Sequence, residues 1–164
     1  MDYTNSFDTP LGEVLLASDG ERLTGLWFRG QKHERAGLSA GQEARELPVF
    51  AQTRRWLALY FAGREPGPTP PLAPRGTAFQ QRVWERLLRI PRGETLCYGE
   101  LARELGCASP RAVGQAVGRN PISILIPCHR VTGAGGRLTG YAGGLWHKEA
   151  LLRLENRKEE QPWT

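Results

Sequence analysis

Three adjacent side chains, those of Cys128, His129 and Arg130, could together carry nucleophilic chemistry. They lie near the end of the stretch NPISILIPCHRV (residues 120–131), in which an almost wholly apolar run leads into Pro127. A cationic or proton-accepting neighbour favours the thiolate, which is the nucleophilic form of cysteine, over a thiol of pKa ~8.5. The stretch therefore predicts a reactive cysteine. On spacing alone the alternative stays open, because most free cysteines are small buried side chains without chemistry.

The apolar run at residues 122–126 is the element that must position this cysteine. Proline lacks an N–H and disfavours continuation of an inner strand, so we predict that Cys128 lies at the end of a buried strand and faces a cleft. Neighbours in an extended chain point to opposite sides, so adjacency leaves a direct Cys128–His129 contact open, and a water molecule between them would serve.

Composition narrows the class of protein. The chain has 164 residues, with 22 Lys and Arg against 17 Asp and Glu, a net charge of +5 that favours anionic partners such as nucleic acid without requiring one. No stretch approaches the ~18 apolar residues of a membrane helix, and the N-terminus lacks the features of a signal peptide. Three cysteines cannot all pair, which predicts free thiols in a cytoplasmic protein. With no CxxC motif and dispersed histidines, no zinc site and no cofactor are predicted.

Residues 1–75 carry strand signals followed by one helix. Apolar runs on either side of an Asp-Gly pair near residue 20 predict a hairpin. Residues 31–46 are polar and predict a surface connection, and residues 47–61 predict an amphipathic helix. Five prolines in residues 63–76 exclude helix or central strand and indicate a linker. We therefore predict a boundary near residue 75.

Residues 76–164 are predicted to be mostly helical. Apolar side chains every four residues from Phe79 indicate one helix. Residues 98–105 and 111–118 indicate two shorter helices, the second begun by a Ser-Pro pair, and together they have the shape of a helix-turn-helix. Plain helical hairpins are commoner, so DNA binding does not follow from this shape alone. The final residues, NRKEEQPWT, are predicted to be a solvated tail.

The second of these helices has small side chains on its predicted outer face, which comprises Ala112, Gln115, Ala116 and Arg119. Such a thin helix can approach DNA closely, even in the minor groove, which is only ~6 Å wide. Small residues would equally let two helices pack tightly, and the two interpretations are compatible.

NPISILIPCHRV, preceded by RAVGQAVGR and followed by TGYAGGLWHKEALLRLE, resembles the O6-alkylguanine-DNA alkyltransferases, most closely the bacterial single-domain type. The resemblance extends from about Thr77 to Glu155. It implies an α/β (α+β) fold with a small N-terminal antiparallel sheet plus helix of ribonuclease H-like type, then a mostly helical domain with a helix-turn-helix of winged-helix type. Some members hold zinc in the first domain, but no cysteine precedes Cys97 here, so no metal is carried over.

The resemblance implies DNA repair by direct alkyl transfer from O6-alkylguanine to Cys128, which restores guanine. A thioether has no good leaving group for water to displace, so one protein repairs one lesion. The base would be flipped out of the duplex through the minor groove. The implied partner is double-stranded DNA containing O6-alkylguanine, bound by a monomer, with no membrane partner and no cofactor. O4-alkylthymine as a second substrate and cooperative binding along DNA are left open.

The family pattern also implies roles in the chemistry. His129 would take the thiol proton through water, and Glu155 would orient and charge the imidazole. Tyr98 would donate a proton or hydrogen bond to guanine N3, and Asn120 would brace the turn before the apolar run. Without the resemblance, Glu155 would be interpreted as an exposed helix carboxylate and Tyr98 as a core residue.

Further residues are implied in binding. Arg111 would fill the space of the flipped base, although without the family pattern it would be interpreted as a solvated arginine. The implied substrate-binding residues are Val131, Tyr141, Ala142 and Gly143. The implied DNA-binding residues are Arg111, Ala112, Gln115, Arg119 and Arg130.

Three other functions compete with alkyl transfer. A non-catalytic binder of alkylated DNA would not need Cys128. A regulator that reads sequence would need several base-reading side chains on its recognition helix, where this chain has mostly small ones. A cysteine hydrolase would need an oxyanion hole, for which the sequence gives no separate signal.

Overall fold

The computed structural model describes residues 1–156. Its N-terminal half is a four-stranded sheet covered by one helix. The predicted solvated tail lies outside the described residues except for its first residue, Asn156, which ends the last helix. The strand order is β3-β2-β1-β4, and the strands are β1 (Asp2–Thr9), β2 (Gly12–Ser18), β3 (Leu23–Phe28) and β4 (Gln42–Ala44).

The hairpin between β2 and β3 is confirmed. Asp19 Oδ1 accepts hydrogen bonds from the N–H groups of Glu21 at 3.0 Å and Arg22 at 2.8 Å. Gly20 has a φ of +114°, which a residue with a side chain rarely adopts. The Asp-Gly pair therefore forms the turn for the reason that the sequence suggested.

Strand β4 was missed, because it lies in the polar segment predicted to be a surface connection. It pairs in parallel with β1, whereas β1, β2 and β3 are antiparallel as expected. Its three residues are exposed or half-buried. A strand this short and polar has no hydrophobic alternation that would predict it, and it is recognised as a strand by its pairing with β1.

Helix α1 (Pro48–Phe61) covers the sheet and matches the predicted helix at residues 47–61. Beyond Gly63 the proline-rich segment is neither helix nor regular strand. It runs beside the free edge of β3, where Leu23 donates to Pro71 O and Ala73 donates to Leu23 O, both at 2.8 Å. Predicted as a linker, this segment also shields a sheet edge.

The C-terminal half contains the predicted helices. Thr77 caps the first of them in a reciprocal capping box with Gln80, and Ser109 Oγ accepts from the N–H of Ala112 to cap the second short helix. The elements are α2 (Ala78–Leu87), β5 (Leu96–Cys97), α3 (Tyr98–Glu104), α4 (Pro110–Gly118), β6 (Val131–Thr132) and α5 (Leu145–Asn156).

The apolar run before Cys128 is buried as predicted, but the prediction that it forms a strand is wrong. Only Ile122 pairs with the sheet, in an isolated bridge to Leu26 of β3. The chain then turns, with Ile124 at a φ of +72°, and residues 128–130 form a single 3-10 turn. Local turn bonds, from Leu125 N–H to Ser123 O and from Ile126 N–H to Ile122 O, satisfy the backbone there instead of strand pairing.

One apolar core extends through both halves of the described chain. It includes Phe28 of the sheet, Phe50 of α1, Trp84 of α2 and Leu151 of α5, all nearly inaccessible to solvent. Among residues 1–156 no helix is both long and apolar enough to cross a membrane.

Candidate active site

Cys128 lies at the start of the 3-10 turn and is only 5% exposed. It lines a cavity of about 770 Å³ that is shared by the two halves of the chain. The exposed face of α4 contributes Arg111, Gln115 and Arg119 to the cavity, and the N-terminal half contributes Lys32 and His33. The thiol is therefore buried, yet lies in a cavity that borders the helix-turn-helix.

Asn120 holds the backbone that leads to this cysteine. Its side-chain Nδ2 donates to Ile126 O at 2.8 Å, and its Oδ1 accepts from the N–H of Ile122 at 2.9 Å. Both bonds are buried, so the amide closes the turn between α4 and the cysteine in the way that the family pattern implies. Asn120 thus braces the backbone on both sides of the apolar run that leads to Cys128.

His129 is fully buried and pairs with Glu155 of α5. The distance from His129 Nε2 to Glu155 Oε2 is 2.6 Å. Burial opposes ionisation of Glu155, but His129 and Arg130 outweigh it and hold the pKa of this carboxyl well below its usual range. An ionised carboxylate only accepts hydrogen bonds, so Nε2 must carry the proton. In neutral His129 the buried Nδ1, which has no partner among the described residues, is then the proton acceptor.

Arg130 is occupied by Glu155 and Ile90, and its assignment as a DNA-binding residue is corrected. Its Nε and NH2 donate to the two oxygens of Glu155 at 2.8 and 3.0 Å, and its NH1 donates to Ile90 O at 2.6 Å. The side chain is only 12% exposed. Its charge neutralises a buried carboxylate and is not available to a phosphate.

The expectation that its neighbours favour the thiolate of Cys128 is also corrected for the free protein. Burial raises the pKa of the Cys128 thiol above its ordinary value, and Asn120, Lys148 and Tyr141 oppose this rise only in part. The negative charge of Glu155 cancels that of Arg130, so adjacency in sequence does not translate into a cationic setting. Cys128 therefore remains a thiol at neutral pH and needs a base when it reacts.

Lys148 is a charged residue at the site that the sequence interpretation missed. It is 0% exposed, and its Nζ donates to Thr139 O at 2.7 Å and to Gly140 O at 3.3 Å. Burial lowers the pKa of Lys148 to about 8, against the attraction of Cys128. The available signal was its helical spacing, because Lys148 lies three residues before buried Leu151 on the same face as Glu155.

Tyr98 begins α3 and lines the cavity with Cys128. Burial raises the pKa of its hydroxyl, so the phenol is protonated at neutral pH and can donate. A short parallel ladder joins the residues just before Tyr98 to the residues just after the Cys128 turn, and in it Leu96 pairs with Val131. This ladder fixes the start of α3 beside the turn that holds the thiol.

The loop after β6 closes the cavity, but not every predicted base-binding residue lies on its wall. Tyr141 and Ala142 line the cavity, whereas Val131 is buried in the β5–β6 ladder. Gly143 is buried behind the wall, where a Cβ would lie 2.7 Å from the Tyr141 ring and 2.9 Å from the Phe28 ring. A glycine is required there by packing against the N-terminal half.

Arg111 and Gln115 on α4 and Arg119, the residue that follows the helix, are exposed, with Ala112 half-buried. Ala116, predicted to face outward, is buried instead, and its carbonyl accepts from Trp84 Nε1 at 2.9 Å. The packing interpretation of the small residues is therefore confirmed for Ala116, and a close approach of this helix to DNA stays a prediction.

Helix α4 offers a thin basic surface of the kind that approaches DNA, and the cavity beside it contains a nucleophile backed by a proton acceptor. These two features together suit a protein that acts on DNA through a cysteine nucleophile.

Comparisons with known proteins identify this class more closely. The ribonuclease-like domain of 6-O-methylguanine DNA methyltransferase matches residues 3–73, and the DNA-binding domain of the same family matches residues 78–157. A methylated-DNA–protein-cysteine methyltransferase of Methanosarcina acetivorans is 47% identical over 154 residues, which are 93% of this chain and 97% of the relative. The chain belongs to the 6-O-methylguanine DNA methyltransferase family.

Solved structures agree with this assignment. A crystal structure of Mycobacterium tuberculosis OGT in complex with DNA has a TM-score of 0.84 and 44% identity, covering 93% of this chain and 92% of that chain. An O6-methylguanine-DNA methyltransferase of Pyrococcus kodakaraensis has a TM-score of 0.62 and 27% identity, covering 96% of this chain and 100% of that chain. The resemblance inferred from the sequence and the predicted fold class are both confirmed.

Proposed function

We propose that this protein, a DNA-binding repair methyltransferase by family, transfers the alkyl group of O6-alkylguanine to Cys128 in a single turnover. The observation that carries the proposal is the place of the thiol, which lies in a cavity bordered by α4 and has the His129–Glu155 pair beside it. Tyr98, Cys128 and the exposed residues of α4 line this cavity, and His129 follows Cys128 directly in the same 3-10 turn.

The proposed chemistry is a direct displacement at the alkyl carbon. The thiol proton passes through water to Nδ1 of His129, because Nε2 already donates to Glu155. The S–C bond forms as the C–O6 bond breaks, and the electron pair leaves on guanine, to whose N3 Tyr98 donates. A positioned general base supplies about 10²–10⁴ in rate. The base matters here because burial keeps Cys128 in its thiol form.

The alkyl carbon is inaccessible in stacked duplex, so the base must leave the helix to reach the cavity. We propose that Arg111, the second residue of α4, fills the space that the base leaves, with Ala112, Gln115 and Arg119 along the groove. The cavity of about 770 Å³ is in the usual range for small-ligand sites. Tyr141 and Ala142 would close it over the base, with the backbone N–H of Ala142 facing O6.

The proposed partner is duplex DNA containing O6-alkylguanine, bound by a monomer. Salt dependence of binding would count the phosphate contacts, and the shape of the binding curve would show whether binding along DNA is cooperative. We also retain as a proposal the division of the chain into domains near residue 75.

A burst assay tests this function. We expect excess duplex with O6-methylguanine to transfer one methyl group per protein, mapped by mass spectrometry to the peptide of Cys128. Cys128→Ala should abolish transfer and retain DNA binding, while the matched variant Cys107→Ala should behave as wild type. The same duplex with O4-methylthymine in place of the lesion decides whether that base is a second substrate.

Each competing function predicts a different result. Repeated turnover would indicate a hydrolase, and lesion binding without a modified cysteine would indicate a non-catalytic binder. Transfer that survives Cys128→Ala would refute the assignment of the acceptor.

A further inference from the structure

Tyr60 of α1 reaches across from the N-terminal half to the proposed catalytic pair. Its hydroxyl lies 2.6 Å from Glu155 Oε2, and both side chains are buried. The same oxygen lies 2.6 Å from His129 Nε2. Resemblance and spacing assign no role to Tyr60, which the sequence presents only as one aromatic residue in an amphipathic helix.

The direction of this hydrogen bond follows from the charges around it. Burial, followed by the adjacent negative charge of Glu155, raises the pKa of Tyr60 well above its ordinary value, so the phenol keeps its proton. The carboxylate of Glu155 is ionised and can only accept. Tyr60 therefore donates a hydrogen bond to Glu155 Oε2, the oxygen that also accepts a hydrogen bond from His129 Nε2.

We propose that Tyr60 is a positioning residue for alkyl transfer, which fixes Glu155 Oε2 and through it the orientation of His129. This inference rests on the proposed function of the site. It also gives the N-terminal half a part in the reaction, beyond covering the C-terminal core.

The rigidity of Tyr60 is what suits it to this task. Its ring stacks on Trp56 at 5.4 Å between centroids and packs edge-on against Phe61 at 5.2 Å, and the Arg92 guanidinium lies 5.1 Å above it. These contacts leave the ring little freedom to move.

Arg130 holds the same carboxylate from a different direction. Its two donors reach both oxygens of Glu155 and set the plane of the group. They approach from the turn that contains Cys128, whereas the Tyr60 hydroxyl approaches from α1 in the N-terminal half. The short hydrogen bond from the fixed phenol of Tyr60 fixes the position of Glu155 Oε2. Because His129 Nε2 donates to this oxygen, its position also sets the orientation of the imidazole and the direction of Nδ1.

The experiment uses single-turnover transfer from an O6-methylguanine duplex with protein in excess, together with DNA affinity and the urea midpoint of unfolding. Tyr60→Phe removes one hydroxyl and keeps the ring. We expect it to slow transfer about tenfold, a part of the ~10²–10⁴ that a positioned base supplies, with DNA affinity unchanged. Tyr3→Phe removes a hydroxyl from the sheet side of the same half and should leave the rate within about twofold.

A double-mutant cycle separates positioning from simple packing. If Tyr60 acts through Glu155, Tyr60→Phe should slow transfer by less than about twofold when Glu155→Gln is already present, because the carboxylate that it positions is gone. An equal tenfold loss in both backgrounds, or no loss in wild type, would overturn the inference. Failure of the wild-type protein itself to transfer methyl would instead refute the proposed function.

Discussion

Glu155→Gln is the substitution whose effect on stability the structure predicts most fully. The change replaces one carboxylate oxygen by an amide NH₂ group at a site that receives four hydrogen bonds, from His129, Tyr60 and two nitrogens of Arg130. An amide offers one acceptor where two are needed. The guanidinium of Arg130 would then be buried without its counter-charge.

Breaking a buried ion pair by removing one partner costs about 3–5 kcal/mol. For a chain of this length each kcal/mol lowers the midpoint of thermal unfolding by about 2–4 °C, so we expect a drop of roughly 10 °C at pH 7. The matched control is Glu149→Gln on the same helix, where the carboxylate pairs with Arg153 and both side chains are about half exposed or more. That variant should lose no more than about 0.5 kcal/mol.

The pH dependence of this difference gives an independent check. The pKa of Glu155 is lowered in the folded protein, so its ionisation contributes stability above the unfolded value of ~4.3, and this contribution is lost as pH falls below it. The gap in free energy of unfolding between wild type and Glu155→Gln should therefore narrow by about 1 kcal/mol between pH 7 and pH 3.5. Urea titrations at several pH values measure it. A gap below 1 kcal/mol at neutral pH, or one that widens in acid, would refute the reasoning.

Two further substitutions test the DNA-facing helix. Arg111→Ala should slow repair in duplex about tenfold, because base extrusion costs a few kcal/mol, and should affect transfer from the free base O6-benzylguanine much less. Arg55→Ala is the control for loss of an exposed arginine. Equal losses on both substrates would contradict the proposed role of Arg111. Ser109→Ala removes the cap of α4 and should cost about 0.5–2 kcal/mol in the free energy of unfolding, measured by urea titration. No change in the urea midpoint would show that α4 does not depend on this cap.

The sequence predicted the local features of this fold better than the long-range ones. The hairpin, the capped α4 and the burial of residues 122–126 follow from turn residues, a Ser-Pro cap and apolar composition, which are all local signals. Strand β4 could not be predicted, because its pairing depends on a distant strand edge. The strand expected before Cys128 failed for a related reason, since beyond the single bridge at Ile122 the run meets no strand with which to pair.

The candidate site shows the same division. Cys128 and His129 were visible as neighbours, and Glu155 was selected only through the family resemblance. Tyr60 is 95 residues from its partner Glu155, so no spacing rule could connect the two. The direction of the thiol pKa also escaped prediction, because it is set by burial, which the sequence does not show. The domain boundary near residue 75 stays a prediction.

The two-residue ladder between β5 and β6 has a consequence for how such a protein can change over time. It links the helix that begins at Tyr98 to the turn at Cys128 without involving residues 133–144, the mostly exposed segment that closes the cavity. Substitutions in that segment can therefore change the wall of the proposed base pocket, while the ladder keeps the spacing between the proposed donor Tyr98 and the proposed acceptor Cys128.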